Sequence, residues 1–294
     1  MNLLGVFGIG VLRILQANFT KRASAQVKTK NQFLSYCLYF EVFAFAFSFL
    51  QLFLMGFHGF DSFIVICGFL TGISFVLEII TALRAMQSAP LVLCNIFSLG
   101  GGIIIPSVIS IFYFNQKMSY FSWLGVGLFF VAVALISPNS KDKKALTGKA
   151  LLILFLNFLI NGFASFMGQF YSIKTTNFNG SLFSGFCYLS SSTIFLLIIL
   201  FTKIKSDTNT KVFDVPKKTL LFGGLLGIIC PLIIPINSFL LRLLPVVIVN
   251  TVPSVMSVIG CAVVGFVFFK EKLSFKNILG VLAGILSTVL IIMG

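Results

Sequence analysis

The second half of this chain repeats the first half, 155 residues later, inside a sequence that is apolar throughout. The segment IFYFNQKMSYFSWLGVGLFFVAVALIS (111–137) matches FVFFKEKLSFKNILGVLAGILSTVLII (266–292) without a gap. The same offset pairs Pro90 with Pro245 and Asn95 with Asn250. Many secondary transporters are built from two related halves that face each other across a central site. The repeat therefore makes transport the leading hypothesis for function.

The composition excludes a soluble domain. Only 10% of the residues are charged, 58% are hydrophobic and the mean hydropathy is +1.09, whereas soluble proteins carry about 25% charged residues. A helix needs about 20 apolar residues to cross a bilayer. Runs of that kind predict an all-α integral membrane protein with ten transmembrane helices, near 3–20, 33–56, 62–83, 90–114, 121–137, 150–172, 181–202, 219–240, 246–269 and 277–293.

Five predicted helices lie in each half, in a first repeat at 1–137 and a second at 150–294, joined by a polar linker at 138–149. Because five is odd, the second half enters the membrane from the opposite side. The sequence therefore predicts two inverted five-helix repeats around a central cavity.

The basic residues predict an orientation in the cytoplasmic membrane. Loops that follow odd-numbered helices, on what we call the odd side, carry 17 lysines and arginines, whereas the even side carries Lys117, Lys174 and Arg242. Short loops rich in basic residues stay in the cytoplasm. We therefore expect both termini outside in a multi-pass membrane protein.

The two helix–loop–helix ends, FNQKMSYFSWLGVGLFF and FKEKLSFKNILGVLAGI, resemble those of the ten-helix EamA-like members of the drug/metabolite transporter superfamily. Glu271 matches the acidic position of that family, and Gln116 replaces it in the first half. The resemblance covers the whole chain and implies ten helices in two inverted repeats that pass small organic solutes. It also implies cytoplasmic termini, opposite to the charge count.

Three ionisable residues fall within the predicted spans: Arg13, Glu41 and Glu78. A charge at the centre of a bilayer costs at least about 2.5 kcal/mol, so such residues are candidates for function. Each belongs to a polar stripe at steps of three or four residues, and all three lie at similar depth toward the odd side, as does Asn95. We expect Arg13, Glu41 and Glu78 to bind substrate, and Glu78 and Glu41 to carry protons.

Simpler roles remain open for these residues. Arg13 and Glu41 could neutralise one another as a packing pair, which would leave Glu78 without a counter-charge. Glu78 could instead hydrogen-bond within its own stripe or to Asn95.

Uncharged polar residues complete the predicted binding site. They lie on polar faces of four helices: Gln16, Asn95, Asn161, Gln169, Asn250 and Ser254. Asn95 and Asn250 are the stronger candidates because the repeat places them symmetrically. For the others, hydrogen bonds that hold helices together are the simpler role.

These observations predict a secondary active transporter that moves a small polar metabolite, amino-acid-like or amine-bearing, by alternating access, with a proton or counter-substrate as the coupling partner. An organic-cation or drug exporter is the alternative, because ring faces attract cations. A scramblase or receptor is the alternative outside transport. A membrane enzyme is disfavoured, since one histidine and seven acidic residues are scattered along the chain.

We expect no cofactor, no metal and no nucleic-acid partner. The six cysteines lie in apolar runs without metal-like spacing, and no phosphate-binding Gly-rich loop precedes a Lys-Ser or Lys-Thr pair. The basic residues are dispersed among short loops. The small-molecule substrate and the lipid bilayer are the expected partners of a monomer or homodimer.

Overall fold

A computed structural model describes residues 2–24, 26–27, 29–56, 60–88, 91–136, 147–205, 215–269 and 275–294. It is all-helical over these residues and has ten helices, so the predicted all-α class and number of helices are confirmed. The helices are α1 (Asn2–Ser24), α2 (Lys30–Met55), α3 (Ser62–Ser88), α4 (Leu91–Phe114), α5 (Tyr120–Ile136), α6 (Gly148–Lys174), α7 (Gly180–Lys205), α8 (Lys217–Leu240), α9 (Val246–Phe269) and α10 (Phe275–Met293).

Side-chain caps fix where several helices begin. Thr29 accepts a hydrogen bond from the Gln32 amide at α2, and Thr147 accepts one from the Ala150 amide at α6, both at 3.2 Å. Asn179 accepts from the Leu182 amide at 3.0 Å at the start of α7. Each cap satisfies an amide that the first helical turn leaves without a partner. The cap at Thr147 places the end of the predicted linker inside α6.

Eight helices are long and apolar enough to cross a membrane, counted over the described residues. The other two, α5 and α9, offer shorter apolar stretches at Tyr120–Leu135 and Val246–Gly260. Eight such helices indicate a multi-pass membrane protein.

Large apolar side chains cover the outside of the bundle, while many small polar side chains lie inside. Phe53 is 83% exposed and Phe112 is 81% exposed, whereas Ser184, Ser191 and Thr251 are fully buried. This distribution suits lipid, where helices associate through small residues and hydrogen bonds because apolar contacts alone give no preference for protein over lipid.

The main contacts of each helix lie in the other half of the chain. Helix α1 packs against α8 and α9, α2 against α7 and α8, α3 against α6 and α7, α4 against α6 and α9, and α5 against α10. Each helix of the first half corresponds to the helix five places later in the second half. Under this correspondence the α1·α9 pair is equivalent to the α6·α4 pair, and the α2·α8 pair is equivalent to the α7·α3 pair. The halves are therefore interlocked.

Two of these helix pairs, α3·α7 and α2·α8, pack closely at a glycine. The two glycines are related by the 155-residue repeat. A Cβ on Gly72 of α3 would overlap the Cys187 carbonyl oxygen of α7. A Cβ on Gly227 of α8 would lie 2.6 Å from Phe43 Cβ and 3.1 Å from the Ala44 amide of α2. Gly72 and Gly227 are 155 residues apart. Equivalent helix pairs are thus brought together by equivalent glycines.

Replacing Gly227 with alanine should destabilise the bundle by about 1–3 kcal/mol, because the added methyl group overpacks the α2·α8 contact. Gly224→Ala, on the same helix, is the matched control, since nothing lies within 4 Å of its Cβ position. Unfolding in detergent measures both effects. Equal stability of the two variants would contradict the close approach.

The orientation can be tested with two single cysteines in a cysteine-free background. A Cβ on Gly180 would lie 2.8 Å from Pro235 Cα, so the exposed Thr176 is the better site on the even side, and the open Gly148 serves for the odd side. From the charge distribution, an impermeant thiol reagent added to intact cells should label Thr176→Cys alone. Labelling of Gly148→Cys alone would give the orientation that the family resemblance implies.

Candidate functional site

Glu78 lies at a junction of three helices. Its carboxylate accepts a hydrogen bond from Asn161 Nδ2 of α6 at 2.6 Å. The same amide group donates to Ser98 Oγ of α4 at 3.1 Å. Glu78 and Asn161 are half-buried. The Glu78 cluster (Glu78, Asn161, Ser98) therefore joins α3, α6 and α4 through one carboxylate, one amide and one hydroxyl.

Two further features hold this cluster in place. Asn157, one turn before Asn161, donates to Thr81 Oγ1 at 3.0 Å and to the Glu78 carbonyl oxygen at 3.3 Å. A Cβ on Gly102 of α4 would lie 2.6 Å from Asn161 Oδ1, so the glycine provides the space that the amide occupies. The orientation of the Glu78 carboxylate is thus fixed by α6 and made possible by α4.

Arg13 forms a second cluster between α1 and α9. Its Nη1 donates to Ser254 Oγ at 2.8 Å, and Ser254 Oγ donates to the Asn250 carbonyl oxygen at 2.7 Å. Asn250 Nδ2 and Thr251 Oγ1 are buried without a hydrogen-bond partner. The Arg13 cluster (Arg13, Asn250, Thr251, Ser254) therefore combines a guanidinium group with a buried amide and a buried hydroxyl that have no partner in the protein.

The two clusters occupy corresponding places in the two halves. The α1·α9 pair is equivalent to the α6·α4 pair when the halves are exchanged. Arg13 and Ser254 join the first pair, and Asn161 and Ser98 join the second. The helices α4 and α9 contact each other. An acidic cluster and a basic cluster thus lie on neighbouring, corresponding seams of the bundle.

Glu41 lies apart from both clusters, on the seam between α2 and α7. It is 1% exposed, and Ser191 Oγ donates a hydrogen bond to its carboxylate. No ion pair joins Glu41 to Arg13, which bonds to Ser254 instead. The alternative in which these two charges neutralise each other is therefore wrong, and their similar depth reflects two different seams.

The remaining predicted residues have separate positions. Gln169 is fully buried and donates to Ser110 Oγ of α4 at 2.6 Å, two turns beyond Asn161, so it holds α4 and α6 together. Gln16 is half-buried, one turn after Arg13. Asn95 belongs to α4, but its side chain lies outside the described part of the chain, so its predicted pairing is not addressed.

Sequence reasoning missed two hydroxyl groups at these sites. Ser191 donates to the Glu41 carboxylate, and Ser98 accepts from the Asn161 amide that also donates to Glu78. One signal for Ser98 was available, because it follows Asn95 by one turn on the same helix. For Ser191 the signal was the serine-rich stretch GSLFSGFCYLSSST of α7.

Within the described residues, no group of three or more His, Cys, Asp or Glu side chains could hold a metal ion. Cys37, Cys67, Cys94, Cys187 and Cys230 are free and buried. The chemistry that these residues offer is hydrogen bonding, charge pairing and proton binding.

Comparison with known proteins supports the fold and leaves the family open. No protein-family model matches the chain, and no curated protein matches it. A solved structure titled "Crystal structure of protein" aligns with a TM-score of 0.74, over 97% of this chain and 95% of its own, at 12% sequence identity. At that identity the likeness shows a shared fold.

Two double-mutant cycles should separate the pairs that touch from those that do not. Alanine at Glu78 and Asn161 should show a coupling of about 0.5–3 kcal/mol in unfolding free energy, because the two side chains are hydrogen-bonded. Alanine at Arg13 and Glu41 should give effects that add within about 0.5 kcal/mol. Coupling of the second pair and additivity of the first would contradict the geometry.

Proposed function

We propose that this protein is a secondary active transporter of the drug/metabolite transporter type, which moves a small polar organic solute across the cytoplasmic membrane. The observation that carries the proposal is the placement of an acidic and a basic cluster on corresponding seams of two interlocked halves. In transporters built from inverted repeats, the substrate binds where the repeats meet near the middle of the membrane. The 155-residue repeat and the odd number of helices in each half support the same architecture.

The proposed substrate is amino-acid-like, with an amine and a carboxylate. The Arg13 guanidinium would bind the carboxylate, helped by the unpartnered amide of Asn250. The Glu78 carboxylate, oriented by Asn161, would bind the amine. Charge-assisted hydrogen bonds are about twice as strong as neutral ones, so two of them at opposite ends favour a zwitterion.

Alternating access follows from the way the clusters are attached. The Glu78 cluster joins α3 to α4 and α6, and the Arg13 cluster joins α1 to α9. A rocking motion of one group of helices against the other would change the distance between the clusters. In this mechanism the site closes around the substrate on one side of the membrane and releases it on the other.

Glu78 also serves as the proposed coupling group at the substrate site. A proton and a substrate amine compete for the same carboxylate, so the binding of one releases the other. This competition links solute movement to proton movement without any further component.

A ligand-stabilisation screen on the purified protein tests the substrate class. A true ligand raises stability by mass action, by about 2.7 kcal/mol at one hundred times its dissociation constant. We expect α-amino acids to stabilise the protein more than matched amines or carboxylic acids that carry only one of the two charges. Stabilisation by quaternary ammonium compounds alone would favour an organic-cation exporter, and lipid translocation without solute flux in proteoliposomes would favour a scramblase.

Glu78→Gln should abolish proton-coupled flux in proteoliposomes. The variant should unfold in detergent under the same conditions as the wild type, because its fold is unchanged. Glutamine keeps the size and the hydrogen bond to Asn161 but cannot exchange a proton. Asp61→Asn, the same change at the start of α3 where Asp61 caps the Phe63 amide at 3.0 Å, is the control. Flux through Glu78→Gln at the wild-type rate and pH dependence would exclude the coupling role.

A further inference from the structure

We infer that the seam between α2 and α7 is a proton path that connects Glu41 to the even side of the membrane. The path is separate from the Glu78 cluster. It adds to the proposed transporter a second carboxylate with its own route to water. Hydrogen–deuterium exchange tests the existence of this path without any transport measurement.

The register of the two helices defines the seam. Glu41 lies against Ser191, and Ser48 lies against Ser184, with 2.9 Å between the hydroxyl oxygens. Ser48 follows Glu41 by seven residues on α2, and Ser184 precedes Ser191 by seven residues on α7. The two helices are therefore antiparallel. In this register Gln51 lies opposite Ser181, near the even-side end of both helices.

Polar groups continue along the seam from Glu41 to the even side. Between Ser191 and Ser184 on α7 lies the fully buried thiol of Cys187. Beyond the Ser48–Ser184 pair lie Gln51, 6% exposed, and Ser181, 4% exposed. The seam is therefore polar at successive turns over this half of its length.

Buried atoms without partners at the even-side end indicate where water enters the seam. Gln51 Oε1 is buried and has no hydrogen-bond partner, and the same is true of Asn179 Nδ2 and Thr175 Oγ1 in the loop before α7. Buried polar atoms are normally satisfied by protein or by ordered water, and a buried water typically makes about three hydrogen bonds. Water molecules bound here would link Gln51 and the loop to the Ser48–Ser184 pair.

In the opposite half of the seam, α7 contributes only apolar side chains over residues 194–201, while α2 carries Tyr36 and Cys37, both buried. Toward the odd side of Glu41, Phe195 is fully buried, Ile199 is 3% exposed and Leu34 is 7% exposed. They belong to one core cluster, against which Leu38 and Ile198 also pack. The α7 side of this half thus offers Glu41 no hydrogen-bonding side chain between Phe195 and Ile199.

Among the residues that the structure describes, no basic side chain faces Glu41. The titratable groups that face it are Tyr36 and Cys37 on its own helix, Cys187 and Tyr188 on α7, and Cys230 on α8. All are neutral acids, so an ionised carboxylate would be buried without a counter-charge, which is strongly unfavourable. Glu41 therefore holds a proton, and the hydroxyl of Ser191 positions the carboxyl group that carries it.

Hydrogen–deuterium exchange of the carboxyl proton tests the path. The probe is D₂O itself, added to purified protein in lipid, and the readout is the infrared carbonyl band of the protonated carboxyl group, assigned by its absence in Glu41→Gln. Gln51→Leu should slow the exchange about tenfold, because it removes one hydrogen-bonding group from the path. A tenfold change corresponds to about 1.4 kcal/mol, which is the size of one hydrogen bond. Ser48→Ala and Ser184→Ala, which change little volume, should slow it in the same direction.

Thr193→Ala is the matched control, because Thr193 is an exposed hydroxyl on α7 that bonds only to the Leu189 carbonyl oxygen. It should exchange at the wild-type rate. Wild-type exchange in Gln51→Leu and in both serine variants would overturn the path, as would the lack of any band that depends on Glu41. Failure of the screen for amino acids would overturn the proposed substrate and leave this result unchanged.

Discussion

The structure depends on a constraint that lipid imposes: a polar side chain between helices must find its partner inside the protein. Here the partners lie across the two halves of the chain. Arg13 bonds to Ser254, Glu41 to Ser191 and Glu78 to Asn161, so each of these three ionisable residues of the first half is satisfied by a residue of the second. The same contacts that stabilise the bundle therefore place charged groups where the halves meet.

The ten helices and the residues on their inward faces could be predicted from the sequence, because both depend on properties of single helices. Apolar runs and three- or four-residue spacing are local. Pairing is not local. Arg13 and Glu41 have similar predicted depth, opposite charge and places on consecutive helices, yet they lie on the α1·α9 and α2·α7 seams. Depth along a helix does not determine which seam a residue faces.

The three carboxylate and guanidinium sites differ in what surrounds them, and this difference separates their roles. Glu78 and Arg13 are half-buried and hydrogen-bonded to neutral polar side chains of the other half. Glu41 is buried among neutral acids, and polar side chains follow it toward one end of its seam. A single bundle thus offers one place suited to a solute and another suited to a proton alone.

The cross-half contacts also determine the order in which the protein can be completed during synthesis. Ser254 follows Arg13 by 241 residues, and at about 5–20 residues per second the ribosome needs about 12–48 s to supply it. Until Ser254 has been synthesised, the Arg13 guanidinium group lacks its hydrogen-bond partner. Glu78 waits for Asn161 over only 83 residues. The α3·α6 seam can therefore close first, and the α1·α9 seam closes only when the ninth helix has been made.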